Sequence, residues 1–230
     1  MPNSNGQDLA TRMKQYERAF EYVLPRRIPV IIRIDGRAFQ SLTRKLFGKK
    51  WSMEFVEQMI ETASRVMKGM QGCDFCYSQS DEISFLLTDY RTIKTEAWFG
   101  YDVRKLISIS ASLLGSVFSR LSGVDACFDS RCFCLPQDEV CNYFIWRQRD
   151  ATRNAILAAG REHFSHKQLH LKNGTDIREM LIQHHGINFE DYPVVRKRGL
   201  CICNGTVDFN IPVFSKDRDY VERFVYVRED

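Results

Sequence analysis

The 230-residue sequence lacks any apolar run near the ~18 residues that a membrane-spanning helix requires. Its opening stretch, Met1 to Asp8, is polar and contains no apolar signal core. Proline is scarce, at 6 residues, and no Pro/Gly-rich linker, internal repeat or low-complexity tract interrupts the chain. The 5 histidines show no metal-ligand spacing, and adjacent His184 and His185 point to different faces of a helix. These absences exclude a membrane-spanning helix and set the expectation of a soluble protein of the cytoplasm.

Cysteine is plentiful, with 8 residues at 73, 76, 127, 132, 134, 141, 201 and 203. Without a signal core, reduced thiols are expected. Zinc is the sharper alternative, since Cys73 and Cys76 have C-x2-C spacing, but no second knuckle or short-spaced His pair accompanies them. Cys132 and Cys134, like Cys201 and Cys203, alternate within apolar runs, as buried thiols on one strand face would.

Apolar residues form 44% of the sequence and charged residues 27%, an ordinary globular balance for one large domain or a core with an appendage. The net charge of +4 says little, but its distribution says more. Between positions 26 and 50 stand Arg26, Arg27, Arg33, Arg37, Arg44, Lys45, Lys49 and Lys50 against the single acid Asp35. Clustered cations of this kind suit a polyanion.

Hydrophobic spacing predicts an amphipathic helix over 8–22, with Leu9, Met13, Tyr16 and Phe20 on its apolar side. A buried strand is predicted over 28–34, a helix from the Ser52 cap to Met70, strands at 73–79 and 82–88, a helix from the Asp102 cap to about Leu121, and a strand at 127–134. This strand, helix, strand, strand, helix, strand order is the βαββαβ pattern of the ferredoxin-like fold. The fold class expected is therefore α+β, a ferredoxin-like, polymerase-type palm over residues 1–136. Residues 137–230 read as an α-rich extension packed on it, with helices near 139–160 and 175–185 and a strand at 200–208.

In that topology the first and third strands are adjacent and antiparallel. Asp35 at the end of one would then meet Asp81-Glu82 at the start of the other. Two converging carboxylates are what a two-metal nucleotidyl-transfer site requires. Alone, Asp35-Gly36 reads more readily as a turn, and Asp81-Glu82 as a solvated hairpin; the pairing makes the metal reading the better one. Gly36 lets the backbone approach an ion or phosphate, and the loop amides after it can cradle a triphosphate. Lys49, Lys50 and Lys105 are candidate triphosphate or RNA-end contacts. Trp146-Arg147-Gln148-Arg149-Asp150 joins a stacking aromatic to cations. A nucleotide cyclase on the same palm would use the same carboxylates without RNA-facing cations. A non-catalytic RNA-binding module would place aromatics on its central strands and have no use for converging acids.

These residues resemble the tRNA-histidine guanylyltransferase-like proteins, the 3′-to-5′ polymerases. The matching motifs are Ile34-Asp35-Gly36-Arg37-Ala38-Phe39, Ser78-Gln79-Ser80-Asp81-Glu82-Ile83-Ser84-Phe85 and Trp146-Arg147-Gln148-Arg149-Asp150, with weaker matches at Phe128-Asp129-Ser130-Arg131 and Arg196-Lys197-Arg198-Gly199. The resemblance implies two Mg2+ ions held by Asp35, the Gly36 carbonyl and Asp81, with Glu82 as a further catalytic acid. It implies nucleotide contacts from Asp35, Gly36, Arg37, Ala38, Phe39, Gln40, Lys50, Ser80, Asp81 and Lys105. For tRNA it implies contacts from Arg147, Arg149, Arg153, Asn154, Arg196, Lys197 and Arg198. The implied substrates are tRNA, ATP and GTP or another nucleoside triphosphate, acted on by a homo-oligomer, dimer or tetramer. The 5′-monophosphate of the tRNA would be activated with ATP before the 3′-hydroxyl of an incoming nucleotide attacks it. Eukaryotic members continue the Trp-Arg-Gln motif into a His- and Asn-rich stretch. Here Thr152 stands at the His position and Asn154 alone keeps a counterpart, which points toward template-dependent repair of tRNA 5′ ends.

Overall fold

A computed structural model describes residues 8–48 and 51–227. In chain order it contains α1 (Leu9–Arg18), β1 (Val30–Gly36), α2 (Phe39–Phe47), α3 (Met53–Met67), β2 (Cys73–Gln79), β3 (Glu82–Leu87), α4 (Val103–Ser122) and β4 (Phe128–Cys134). There follow α5 (Gln137–His163), α6 (His166–Leu169), α7 (Gly174–His185), α8 (Val194–Arg198), β5 (Leu200–Cys203), β6 (Thr206–Asp208) and α9 (Asp219–Glu222). The strands form one antiparallel sheet in the order β4-β1-β3-β2-β5-β6. The architecture is α+β, and β5 extends the sheet beyond β2 rather than standing apart from it.

Both faces of the central strands are covered, which is why β1 reads as an uninterrupted apolar run. Val30, Ile32 and Ile34 point toward α3 and α4, joining Phe85, Met59, Leu114 and Phe118 in one core. Ile31 points the other way, with Phe75, Tyr77 and Leu86, into a second core closed by Phe144 of α5 and by Phe214 and Phe224. By the two-residue period, Arg33 and Asp35 share this second face. A third cluster joins the C-terminal half of α5 to α7 through Ile156, Ala159, Ile177 and Leu181.

Several expectations need correction. The first helix ends at Arg18, and none of its residues is buried: its apolar side is uncovered, with Tyr16 69% and Phe20 78% exposed. Helix α2 was not expected; Phe39 and Thr43 are its buried residues and Leu42 and Phe47 pack on the core, an apolar period that the interleaved cations Arg44 and Lys45 mask. The strand read at 200–208 is a hairpin, turned at Asn204-Gly205. No helix among the described residues is long and apolar enough to cross a membrane. All eight cysteines are free thiols, and no group of three or more His, Cys, Asp or Glu residues able to hold a metal occurs among the described residues.

Candidate active site

The site forms where β1 ends beside the β2-β3 turn. Strand register sets Asp35 opposite Glu82 on one side and Asp129 of β4 on the other. The β2-β3 turn is two residues long, Ser80-Asp81, with Ser80 in the left-handed region at φ 54. Gly36 donates its N–H to the Asp81 carbonyl at 3.0 Å, which ties the turn to the end of β1. After β1, Arg37 donates its N–H to the Cys127 carbonyl at 2.8 Å, and Ala38, at φ 61, starts α2 without a side-chain cap. Ser41 and Leu42 donate their N–H groups to the Ala38 carbonyl, and the Phe39 and Gln40 amides remain open to an anion among the described residues. Gly36 is required by close approach: a Cβ there would lie 2.3 Å from the Phe39 ring. That ring is fixed in the core against Phe128 and Phe118 at centroid distances of 4.9 and 5.2 Å.

A cavity of about 760 Å³ opens over these residues, with Asp35, Gln40, Ser80, Asp81 and Glu82 in its lining. Arg44, Trp51, Trp146, Arg161 and Arg196 line it as well. Trp146 is 53% exposed and has the Arg147 guanidinium 4.5 Å from its ring centroid.

Ion pairing within the site is selective. Arg147 donates to both oxygens of Glu82, Nε at 2.7 Å and Nη2 at 2.6 Å, and also contacts Asp150 at 3.1 Å. Asp150 takes a second cation, Arg153, and accepts from Asn154. Asp129 pairs with Arg131 at 2.7 Å. Arg33 lies 3.6 Å from Glu82, too far for a hydrogen bond, and its buried Nε has no hydrogen-bond partner among the described residues. Asp35 and Asp81 form no ion pair among the described residues. Burial raises the pKa of Asp81 to about 6, and the Asp35 carboxylate adds to the rise. Burial also lifts Asp35, with Asp129 adding to it, while Arg33, Arg131 and Arg147 hold it back. Glu82 is raised by burial against the opposing pull of Arg147.

Other residues expected at the site are placed differently. Arg147 is 7% exposed and bound to Glu82, so it frames the cavity instead of presenting a surface to RNA. Glu82 has both oxygens on Arg147, whereas Asp35 and Asp81 beside it have no ion-pair partner among the described residues. Lys105 is exposed on the first turn of α4 and lines no part of the cavity; the opposite face of that turn, at Leu106, is the buried one. Lys49 and Lys50 lie outside the described residues. Phe39 lines the cavity but is 2% exposed and belongs to the core; Arg37 and Ala38 are exposed beside it. Asn154 and Arg196 line the cavity, whereas Arg149, Lys197 and Arg198 face a separate pocket. Arg196 stacks 3.8 Å from the Tyr192 centroid and pairs with Glu162 at 2.7 Å. Sequence reasoning missed Trp51, and it read Arg33, Arg44 and Arg161 only as members of cation-rich stretches, without placing them at the site. The alternation of β1 places Arg33 on the same face as Asp35, which was available as a signal; the others come from elements whose packing no local pattern reveals.

Two solved structures share this architecture. One is a bacterial tRNA(His) guanylyltransferase-like protein in complex with ATP, with a TM-score of 0.92 and 42% identity over 95% of this chain and 100% of that one. The other is such a protein in complex with GTP, with a TM-score of 0.86 and 39% identity over 96% of this chain and 100% of that one. The class is therefore that of the guanylyltransferase-like α+β proteins. Among relatives by sequence, the Schizosaccharomyces pombe tRNA(His) guanylyltransferase is 30% identical over 210 residues, 81% of this chain and 77% of that protein. The probable tRNA(His) guanylyltransferase of Drosophila melanogaster is 27% identical over 208 residues, 80% and 71%. The sequence profile of the tRNAHis guanylyltransferase family matches residues 10–136, and the chain belongs to this family of nucleotidyltransferases.

Proposed function

We propose that this protein is a Mg2+-dependent 3′-to-5′ nucleotidyltransferase that adds nucleotides to the 5′ end of tRNA, in template-dependent repair. The observation that carries the reading is the pair Asp35 and Asp81. They are the two acids of the cavity that form no ion pair among the described residues; Asp35 raises the cost of ionising Asp81, and Asp129 raises that of Asp35. Hard oxygen donors of this kind suit Mg2+, which takes one or two carboxylates together with substrate phosphates and water. In this reading Asp35, Asp81 and the Gly36 carbonyl hold two ions, which supply charge neutralisation at the reacting phosphates. Strands β1 to β4, in the order β4-β1-β3-β2, support the ferredoxin-like palm expected of residues 1–136, and residues 137–230 carry the tRNA-facing half.

The chain's own groups do the positioning, which is most of what phosphoryl transfer needs. Open amides at the start of α2, with Gln40 and Ser80, face a triphosphate in the cavity. The Glu82–Arg147 pair stiffens the wall behind Asp35, and Trp146 offers a face for a base. Arg44, Arg161 and Arg196 favour an RNA 5′ phosphate. A 5′-monophosphate oxygen attacks the α-phosphorus of ATP and pyrophosphate leaves. The 3′-hydroxyl of the incoming nucleotide then attacks the activated 5′ phosphorus and AMP leaves. The working form in this reading is a homo-oligomer, dimer or tetramer, in the cytoplasm.

The test is nucleotide addition to a 5′-labelled, 5′-truncated tRNA with ATP, GTP and Mg2+. Wild type is expected to extend the RNA according to the opposing base, and Asp81→Asn to lose addition by about a thousandfold or more. Undiminished addition by the variant refutes the reading.

A further inference from the structure

We infer that His163 and His185, at the paired ends of α5 and α7, form a two-imidazole site for a divalent cation of the Zn2+, Ni2+ or Cu2+ class, separate from the carboxylates of the catalytic cavity. His163 is the last residue of α5 and His185 the last of α7. No sequence spacing joins them; helix packing does. A Cβ on Gly174, at the start of α7, would lie 3.7 Å from Ile156 Cδ1, and one on Gly160 would lie 2.8 Å from Ile177 Cγ2. Contacts therefore advance along both helices in the same direction. Beyond them the His163 and His185 rings meet, with centroids 4.9 Å apart. The two helices run in parallel here and stop together.

Parallel helices that end side by side bring two negative dipole ends to one spot, each equivalent to roughly half an elementary charge. A cation is favoured there. The two imidazoles are free to hold it: neither His163 nor His185 makes a hydrogen bond or ion pair among the described residues, and His185 is exposed while His163 is half-buried. Protonating both rings would set like charges 4.9 Å apart. One ion shared between them supplies positive charge to both helix ends without that repulsion.

The separation fits chelation. A tetrahedral ion with Zn–N bonds of about 2.0–2.1 Å holds two imidazole centroids about 5 Å apart. The rings are tilted by 41° instead of lying flat on each other. Phe164, 8% exposed, packs against His185 in a T-shaped contact at 5.1 Å and against His184 at 5.9 Å. The backbones beneath are fixed by the core of Ile156, Ala159, Ile177 and Leu181, so the pair stands on rigid elements. Two protein ligands leave the remaining positions to water, and the ion exchanges with solvent. Imidazole nitrogen suits Zn2+, Ni2+ and Cu2+, whereas Mg2+ takes oxygen ligands. The site is thus chemically distinct from the paired acids Asp35 and Asp81.

The test titrates tag-free protein with Ni2+ and, separately, Zn2+ by isothermal calorimetry, and follows the melting temperature in the same solutions. Wild type is compared with His163→Gln, His185→Gln and His170→Gln, the last removing an exposed histidine elsewhere in the 164–173 connection. Wild type is expected to bind Ni2+ and, at an ion concentration tenfold above the dissociation constant, to melt about 3–5 °C higher. His163→Gln and His185→Gln are each expected to weaken binding by at least what the loss of an outer-shell partner costs, about tenfold or more, and to abolish the melting shift. His170→Gln should match wild type. Both ligand positions end helices at the surface, where glutamine leaves folding intact; imidazole 15N shifts on adding Zn2+ to wild type, confined to His163 and His185, check the ligands without any substitution. No binding by wild type at millimolar ion overturns the inference. So does equal binding by all four proteins, which would put the ion on the exposed Cys127 thiol or the cavity acids. Loss in His163→Gln with His185→Gln unaffected would make His184 the second ligand and overturn the pairing. None of these results bears on the tRNA reading, which uses neither histidine.

Discussion

Replacing Arg147 by methionine tests the frame of the site directly. Arg147 and Glu82 are nearly enclosed, with side chains 8% and 10% exposed, and they meet through two hydrogen bonds of 2.7 and 2.6 Å. In Arg147→Met the Glu82 carboxylate stays in the second core beside Asp35, and Arg33 at 3.6 Å is its remaining counter-charge. Removing one partner of a buried pair costs about 3–5 kcal/mol, because the other charge is left uncompensated. Glu82→Gln is milder, about 2–3 kcal/mol, since Arg147 keeps Asp150 at 3.1 Å. The double variant Glu82→Gln/Arg147→Met removes both charges and is expected to recover part of the loss, with a coupling of about 2 kcal/mol or more. Urea unfolding followed by circular dichroism at pH 7.5 measures all four proteins. Purely additive single losses, or an Arg147→Met cost below about 1 kcal/mol, refute the argument.

Three further outcomes follow from the same geometry. Asp81 is raised from 3.8 to about 6, chiefly by burial, so between those values the folded state binds its proton more tightly than the unfolded state. Its contribution to stability is therefore full at low pH and is lost as pH rises through about 6. Without divalent cations, Asp81→Asn should melt higher than wild type at pH 7.5, by about 1–2 kcal/mol or roughly 3–6 °C, and show no such gain at pH 4; an unchanged or lower melting temperature at pH 7.5 counts against the strained-acid account. Gly36→Ala drives a methyl into the Phe39 ring, 2.3 Å away, and should cost about 1–3 kcal/mol in urea unfolding along with most activity; a variant as stable and active as wild type would show that the ring can yield. Gln79→Lys places an ammonium in the cavity lining beside the turn. It should raise metal-free stability by about 0.5–1 kcal/mol while shrinking the stabilisation that Mg2+ gives wild type, and equal Mg2+-induced shifts in the two proteins would contradict competition for the same acids.

Much of the fold was legible because period and punctuation agreed. The β2-β3 hairpin and α4 stand almost where spacing put them, and Asp102 caps α4 by accepting from the Arg104 and Lys105 amides. The adjacency of Asp35 to the Asp81-Glu82 turn was also legible, since strand order and register alone determine it. Packing partners were not legible. Nothing in the sequence around Arg147 distinguishes a cation turned inward to Glu82 from one offered to RNA: position 147 falls on the buried face of α5, whereas Arg149 and Arg153 are exposed. Likewise the apolar side of α1 has the spacing of a buried face and yet is exposed in the single chain, because amphipathic period specifies that a face seeks cover, not what covers it.

The placement of charge explains why two acids in particular are suited to a cation. Five acids, Asp35, Asp81, Glu82, Asp129 and Asp150, gather near the ends of β1 and β4, the β2-β3 turn and the middle of α5. Arginines stand nearby, but the sheet and α5 commit them elsewhere: Arg131 to Asp129 on its own strand face, Arg147 to Glu82 and Asp150, Arg153 to Asp150. Arg33, two residues before Asp35 on the same face, reaches sideways to Glu82 because Ser84 stands directly opposite it. A fold optimised for stability alone would turn one of these cations onto Asp35 or Asp81. Among the described residues both stay unpaired, in the lining of the cavity and raised in pKa, a stability deficit that under the proposed reading a bound cation would remove. Under that reading, binding the ion and completing the site would be one event.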